Sequence, residues 1–142
     1  MDKNLVENFV KVYQSLSKDN LETLAHIYDS DIVFQDPLHT IAGLDNLTQY
    51  MANMYENVQE CFFDIHEHHF ADQQIFLYWT MHFIHPKLNK GETILVEGHS
   101  RLKFIGNKVI CHRDYFDVGA MLYEHVPLVG GVVSLIKNRA SG

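Results

Sequence analysis

IVFQDPLH, residues 32–39, decides how the rest of the chain is read. A run rich in β-branched residues ends on Asp36, and Pro37, having no N–H to offer a neighbouring strand, stops the ladder there. A short strand over 32–36 thus finishes on a carboxylate. Upstream the spacing is helical. Leu5, Phe9, Val12, Tyr13 and Leu16 recur every three or four residues, which predicts an amphipathic helix ending near Ser17–Asn20. Asp19 or Asn20 is expected to cap a second helix, with Glu22 in its first turn and Leu21, Leu24, Ile27 and Tyr28 as its buried stripe. Downstream, Gly43 breaks the chain and Asp45 is expected to cap a third helix with the stripe Leu47, Met51, Met54, Tyr55 and Val58.

From residue 61 the period becomes two. Phe63 and Ile65 alternate with Asp64 and His66; after a turn at 71–74, Ile75–Ile84 is a strand with Leu77, Trp79, Met81 and Phe83 on one face. The polar turn HPKLNKGE, 85–92, leads to an alternating strand over 94–104, and Gly106–Asn107 turns tightly into a last strand, 108–118. One face of that strand reads Ile110, His112, Asp114, Phe116, Val118, and the other Val109, Cys111, Arg113, Tyr115, Asp117. Each mixes apolar and charged residues, so alternation does not choose between them. The chain from 120 to 142 reads as a tail or short apolar helix entered near Pro127, with room to cap a pocket, pack on a partner or touch a membrane surface. Its paired glycines, 130 and 131, could hinge a lid. Helices followed by antiparallel strands are the α+β pattern, and 142 residues fit one domain, 1–142.

A net charge of −7 and scattered Lys and Arg leave no basic face for nucleic acid. The start, MDKNLVENF, lacks a basic segment leading into an apolar one, and the longest apolar run, at 126–136, is too short to span a bilayer; a cytoplasmic protein without a transmembrane segment is expected. Cys61 and Cys111 have no metal-binding or redox spacing. HEHH, 66–69, holds ligand-type residues, but a strand points His66 and His68 one way and Glu67 and His69 the other, so no metal site is expected.

The helical opening, YDSDIVFQDP at 28–37, Gly43 before the third helix, and a meander closing on HRDYFDVG at 112–119 together resemble the superfamily of nuclear transport factor 2-like proteins, ketosteroid isomerases and SnoaL-like polyketide cyclases. The resemblance covers the chain to about residue 118. It implies a cone-shaped α+β fold with the N-terminal helices in the concave face of a curved, mixed, mainly antiparallel sheet, an apolar pocket at the open end, and frequent pairing of two copies through the outer sheet face. It places Asp36 at the isomerase general base and Tyr13 close to the oxyanion tyrosine. Ser100 stands where the isomerases have a protonated aspartate, and a hydroxyl is the weaker donor. Phe116 falls on a pocket-lining aromatic position, and SnoaL-like cyclases resemble this chain in placing a catalytic acid on a late strand.

Two readings of these residues stay open. In the first, Asp36 removes a proton beside a carbonyl, Tyr13 stabilises the developing oxyanion, His112 and Asp114 share or relay a proton, and Trp79, Met81, Phe83, Ser100 and Phe116 bind a small hydrophobic molecule without a cofactor. In the second, Asp36 accepts hydrogen bonds in the turn around Pro37, His112 and Asp114 satisfy each other, and Trp79, Met81 and Phe83 are core of a non-catalytic binding or dimerisation module.

Overall fold

A computed structural model describes residues 3–126 and 128–142. The first periodic segment is α1, Lys3–Gln14, which buries Val6, Phe9 and Tyr13. The second differs from expectation: Leu21–His26 is a short 3-10 segment. Asn20 stands at its N-cap, as expected, without a side-chain bond to the segment. Asn20 instead ties the preceding turn, its Oδ1 accepting from Ser17 N and its Nδ2 donating to the Ser15 carbonyl, both at 2.7 Å. The segment ends there because Tyr28 opens β1, Tyr28–Gln35, where it pairs with Val109. Beyond the Pro37 turn, β2, Thr40–Ala42, returns antiparallel to β1. Three residues carry no readable period, and the sequence holds no sign of it. In α2, Leu44–Asn57, Gly43 rather than Asp45 stands at the cap, without a side-chain bond; Asp45 lies in the first turn, facing the positive end of the helix.

Four long strands follow: β3, Glu60–Ala71; β4, Gln74–Ile84; β5, Ile94–Ile105; and β6, Lys108–Phe116. The sheet runs β2-β1-β6-β5-β4-β3, every pairing antiparallel except β1 with β6. That parallel pairing seats the strand leading to Asp36 beside the strand carrying His112 and Asp114. The core lies between the concave side and the helices: the Phe9 ring meets Tyr28 edge-on at 5.9 Å, and Tyr13 tilts against Phe63 at 5.0 Å. Fully burying a side chain such as Leu24, Leu47 or Leu102, each 0 % exposed, contributes about 1.5–3 kcal/mol. On β6 the faces divide as Val109, His112, Asp114 and Phe116 inward, and Cys111, Arg113 and Tyr115 outward. Ile110, which strict alternation would put on the face of His112, is displaced because the β5–β6 register slips at Lys103/Phe104, which shifts the alternation by one.

The tail is three short pieces. Asp117 caps α3, Val118–Met121, accepting from Ala120 N at 3.2 Å; a 3-10 turn spans Tyr123–His125; and α4, Val129–Ser141, packs on that turn. Pro127, the expected entry to this helix, lies outside the described residues. Gly130 is a packing contact rather than a hinge, since a Cβ there would sit 2.4 Å from the Glu124 carbonyl oxygen. Lys137 bridges Asp117 at 3.0 Å and Glu124 at 3.2 Å, while Val132, Leu135 and Ile136 face outward. Among the described residues no helix is long and apolar enough to cross a membrane.

Candidate active site

A cavity of ≈ 230 Å³ opens between the concave sheet face, α1, α2 and α3. Period-two alternation on β4 points Trp79, Met81 and Phe83 into its wall, with Phe63 from β3, Phe116 from β6 and Met121 from α3. Of the three roles open to the tail, lining the pocket falls to its first residues, Met121 and Leu122, while no described residue of α4 reaches it. Tyr13, Asp36, Tyr50, Tyr55 and Asp114 bring oxygen atoms, and His85 a ring nitrogen, to this otherwise apolar surface.

Ser100 and His112 do not line the cavity; they lie behind its wall, each 1 % exposed, and hold Asp114. Ser100 faces Asp114 across the β5–β6 register and donates to its Oδ1 at 2.5 Å, while itself accepting from Trp79 Nε1 at 2.8 Å. His112 Nε2 meets the same Oδ1 at 2.6 Å, and its Nδ1 lies 2.6 Å from the Tyr28 hydroxyl. A carboxylate oxygen only accepts, so Nε2 carries the proton of the bond to Asp114, and Nδ1 shares the second bond with the Tyr28 hydroxyl. Donors from both sides therefore converge on one oxygen. Both hydrogen bonds found to Asp114 among the described residues go to Oδ1, none to Oδ2, and Asp114 lines the cavity. Gly98 makes the geometry possible: it pairs with Trp79, and a Cβ there would lie 2.4 Å from the indole Cη2.

Tyr13 supplies a matching donor. Its ring is fixed by stacking on Phe9 at 5.4 Å and by Phe63, it lines the cavity, and no hydrogen bond to its hydroxyl is found among the described residues. Burial, and then the Asp114 charge, pushes that hydroxyl well above the ordinary tyrosine range, so it stays protonated and able to donate.

Asp36 is placed differently. It is 7 % exposed at the cavity edge, where the chain turns at Pro37, and its Oδ1 accepts from Leu38 N at 2.8 Å and His39 N at 2.7 Å. Its Oδ2 accepts from the Tyr50 hydroxyl at 3.1 Å, and His39 Nδ1 lies 3.3 Å from Oδ1. Both oxygens are thus engaged by the turn and α2. A strand finishes on a carboxylate here because the carboxylate folds the turn that follows.

Tyr28, Tyr50 and Tyr55 are site residues that the sequence reading did not pick out. Tyr50 was within reach, lying one turn from Leu47 and Met54 on the α2 stripe. Tyr28 was hidden by its assignment to a helix. Burial pushes the thiol of Cys61, in the cavity wall, up to about 12, so it behaves as an apolar side chain. On the outer sheet face His69 pairs with Glu67 at 2.6 Å, His82 stacks on Phe62, and His99 stacks on Tyr115. Among the described residues no three of His, Cys, Asp and Glu come together as a metal site requires.

Residues 7–112 match the family described as the SnoaL-like domain. No curated protein matches by sequence. Among solved structures, an NTF2-like protein of unknown function from Burkholderia pseudomallei shares 14% identity at a TM-score of 0.74, over 85% of this chain and 96% of its own. A protein with a ketosteroid isomerase-like fold from Catenulispora acidiphila, in complex with trimethylamine, shares 13% identity at 0.72, over 86% and 92%. An LEH-like epoxide hydrolase of M. tuberculosis shares 20% identity at 0.67, over 95% and 94%. These likenesses establish the NTF2-like α+β fold.

Proposed function

This chain belongs to the SnoaL-like domain family, and from that premise we propose that it is an acid–base enzyme of the isomerase or cyclase type, acting on a small hydrophobic carbonyl compound. One observation carries the reading: two unpartnered oxygen groups, the acceptor Asp114 Oδ2 and the donor Tyr13 hydroxyl, face one apolar cavity. Asp114 Oδ2 takes the proton from the carbon beside the carbonyl. Tyr13 donates to the oxygen on which negative charge develops. His112 and Ser100, bonded to Oδ1, hold the carboxylate so that the same oxygen returns the proton. Asp36, given the base role by the resemblance, shapes the rim together with Tyr50, because its own oxygens are already engaged.

Exchange of carbon-bound hydrogen for deuterium in hydrophobic ketones tests this. Asp114→Asn keeps the shape and the Oδ1 contacts, so its exchange rate is expected to fall by about 10²–10⁴ with folding intact. Asp36→Asn is expected to keep exchange within about tenfold. A full loss in Asp36→Asn with exchange retained in Asp114→Asn would return the base role to Asp36. The same reading pairs two copies through the outer sheet face, where Phe62, Tyr78 and Leu95 stand exposed. Sedimentation showing only monomer at millimolar concentration would remove that part.

A further inference from the structure

The cavity discriminates by charge as well as by size. Among the described residues that line it, the ionisable side chains are two carboxyls, Asp36 and Asp114, three tyrosines, one cysteine and His85; none is Lys or Arg. The three tyrosine hydroxyls do not offset the carboxylates with charge, and two of them already have acceptors, Tyr50 with Asp36 and Tyr55 with the Leu16 carbonyl at 3.4 Å. Apart from the ring of His85, whose Nδ1 accepts from Lys87 N, what remains for a ligand is one donor, the Tyr13 hydroxyl, and one acceptor, Asp114 Oδ2, on the same cavity. Beside them stand Trp79, Phe63 and Phe116, which offer no polar group, because the Trp79 Nε1–H is already given to Ser100.

That combination fits a group that accepts one hydrogen bond and presents an acidic hydrogen beside it, which is the pattern of an enolisable ketone. It does not fit a carboxylate. A second anionic oxygen would come to rest against Asp114 Oδ2, in an apolar setting where like charges are poorly screened and no Lys or Arg of the lining replaces the displaced water. We propose that the cavity selects uncharged carbonyl compounds and rejects carboxylates and phosphates of the same shape, with Asp114 as the residue that sets the selection and Asp36 adding to it at the rim. This rests on the reading of the cavity as a carbonyl site. It also places the reaction: the preceding step must deliver a neutral carbonyl compound, with any acid group released, esterified or amidated beforehand.

Matched ligands of one shape provide the test. Binding of 2-acetylnaphthalene, 2-naphthamide and 2-naphthoate is measured by calorimetry at neutral pH on the wild type, Asp114→Asn and Asp36→Asn, with melting temperatures to verify folding. The ketone and amide are expected to bind to the wild type at least about a hundredfold more tightly than the carboxylate. In Asp114→Asn that gap is expected to shrink to within about tenfold, through a gain in carboxylate affinity. Comparable affinities in the wild type would overturn the proposal, as would a gap unchanged in Asp114→Asn. Failure of both neutral ligands to bind would overturn it too, since a cavity that takes no neutral carbonyl has no selection to express. Because binding is read without turnover, a correct order of affinities with no deuterium exchange would sink the catalytic reading alone.

Discussion

Asp114 divides its two oxygens between structure and cavity, and the residues that enforce the division are themselves testable. Tyr28→Phe removes the partner of His112 Nδ1 and leaves a buried ring nitrogen unsatisfied, which costs about 1–3 kcal/mol. The expected result is a lower urea midpoint and a ¹⁵N spectrum in which His112 no longer holds its proton on Nε2 alone. An unchanged tautomer would show that Asp114 alone fixes the ring. At this scale the sequence was legible in part. His112 and Asp114 stood out because a two-residue spacing puts both on one strand face, whichever face that proved to be. Ser100 was legible only through the resemblance, since its partner is fourteen residues away and register cannot be read from composition. Asp36 was noticed for the right reason, its place before Pro37, while its hydrogen bonds depend on backbone geometry at Leu38 and His39.

Among the elements, β4 and β5 position the site together. The indole of Trp79 lies over Gly98 and reaches Ser100, so the cavity wall and the support of Asp114 are one assembly. Gly98→Ala must push the ring or the strand, because its Cβ would also sit 2.7 Å from the Tyr115 carbonyl oxygen. A loss of about 1–3 kcal/mol is expected from overpacking, with a shifted tryptophan emission as the indole N–H leaves Ser100. Unchanged stability and emission would mean that the wall yields elsewhere. The long strands and α2 were legible because period two and period 3.6 persist over ten or more residues. The 3-10 segment at Leu21–His26 and β2 were not: the first copies one turn of a helical stripe, and the second is shorter than any period. The β1–β6 pairing was equally hidden, since it joins strands that begin some eighty residues apart.

Across the whole molecule, burial of acidic groups sets the response to pH. Desolvation raises the hydroxyls of Tyr13, Tyr28, Tyr50 and Tyr55, and brings the Cys61 thiol to about 12. In the unfolded chain these groups ionise near the ordinary values of 10.0 for tyrosine and 9.0 for cysteine. Above those values the unfolded state binds fewer protons than the folded one, so stability falls as pH rises. Their contribution is complete below about pH 9 and is lost progressively through the alkaline range. Melting temperatures measured from pH 7 to 11 should be level at first and then decline. A flat profile to pH 11 would mean that these groups reach water in the folded state.

The convergence of donors on Asp114 Oδ1 also has a stereochemical consequence. A carboxyl that presents a single oxygen through one wall can touch only one side of a flat enolate held against it. Hydrogen taken from solvent would then be written into the product with one handedness. A ketone bearing two mirror-related hydrogens beside its carbonyl would become chirally labelled in heavy water, and a racemic label would mean that the ring turns over in the cavity before the proton returns.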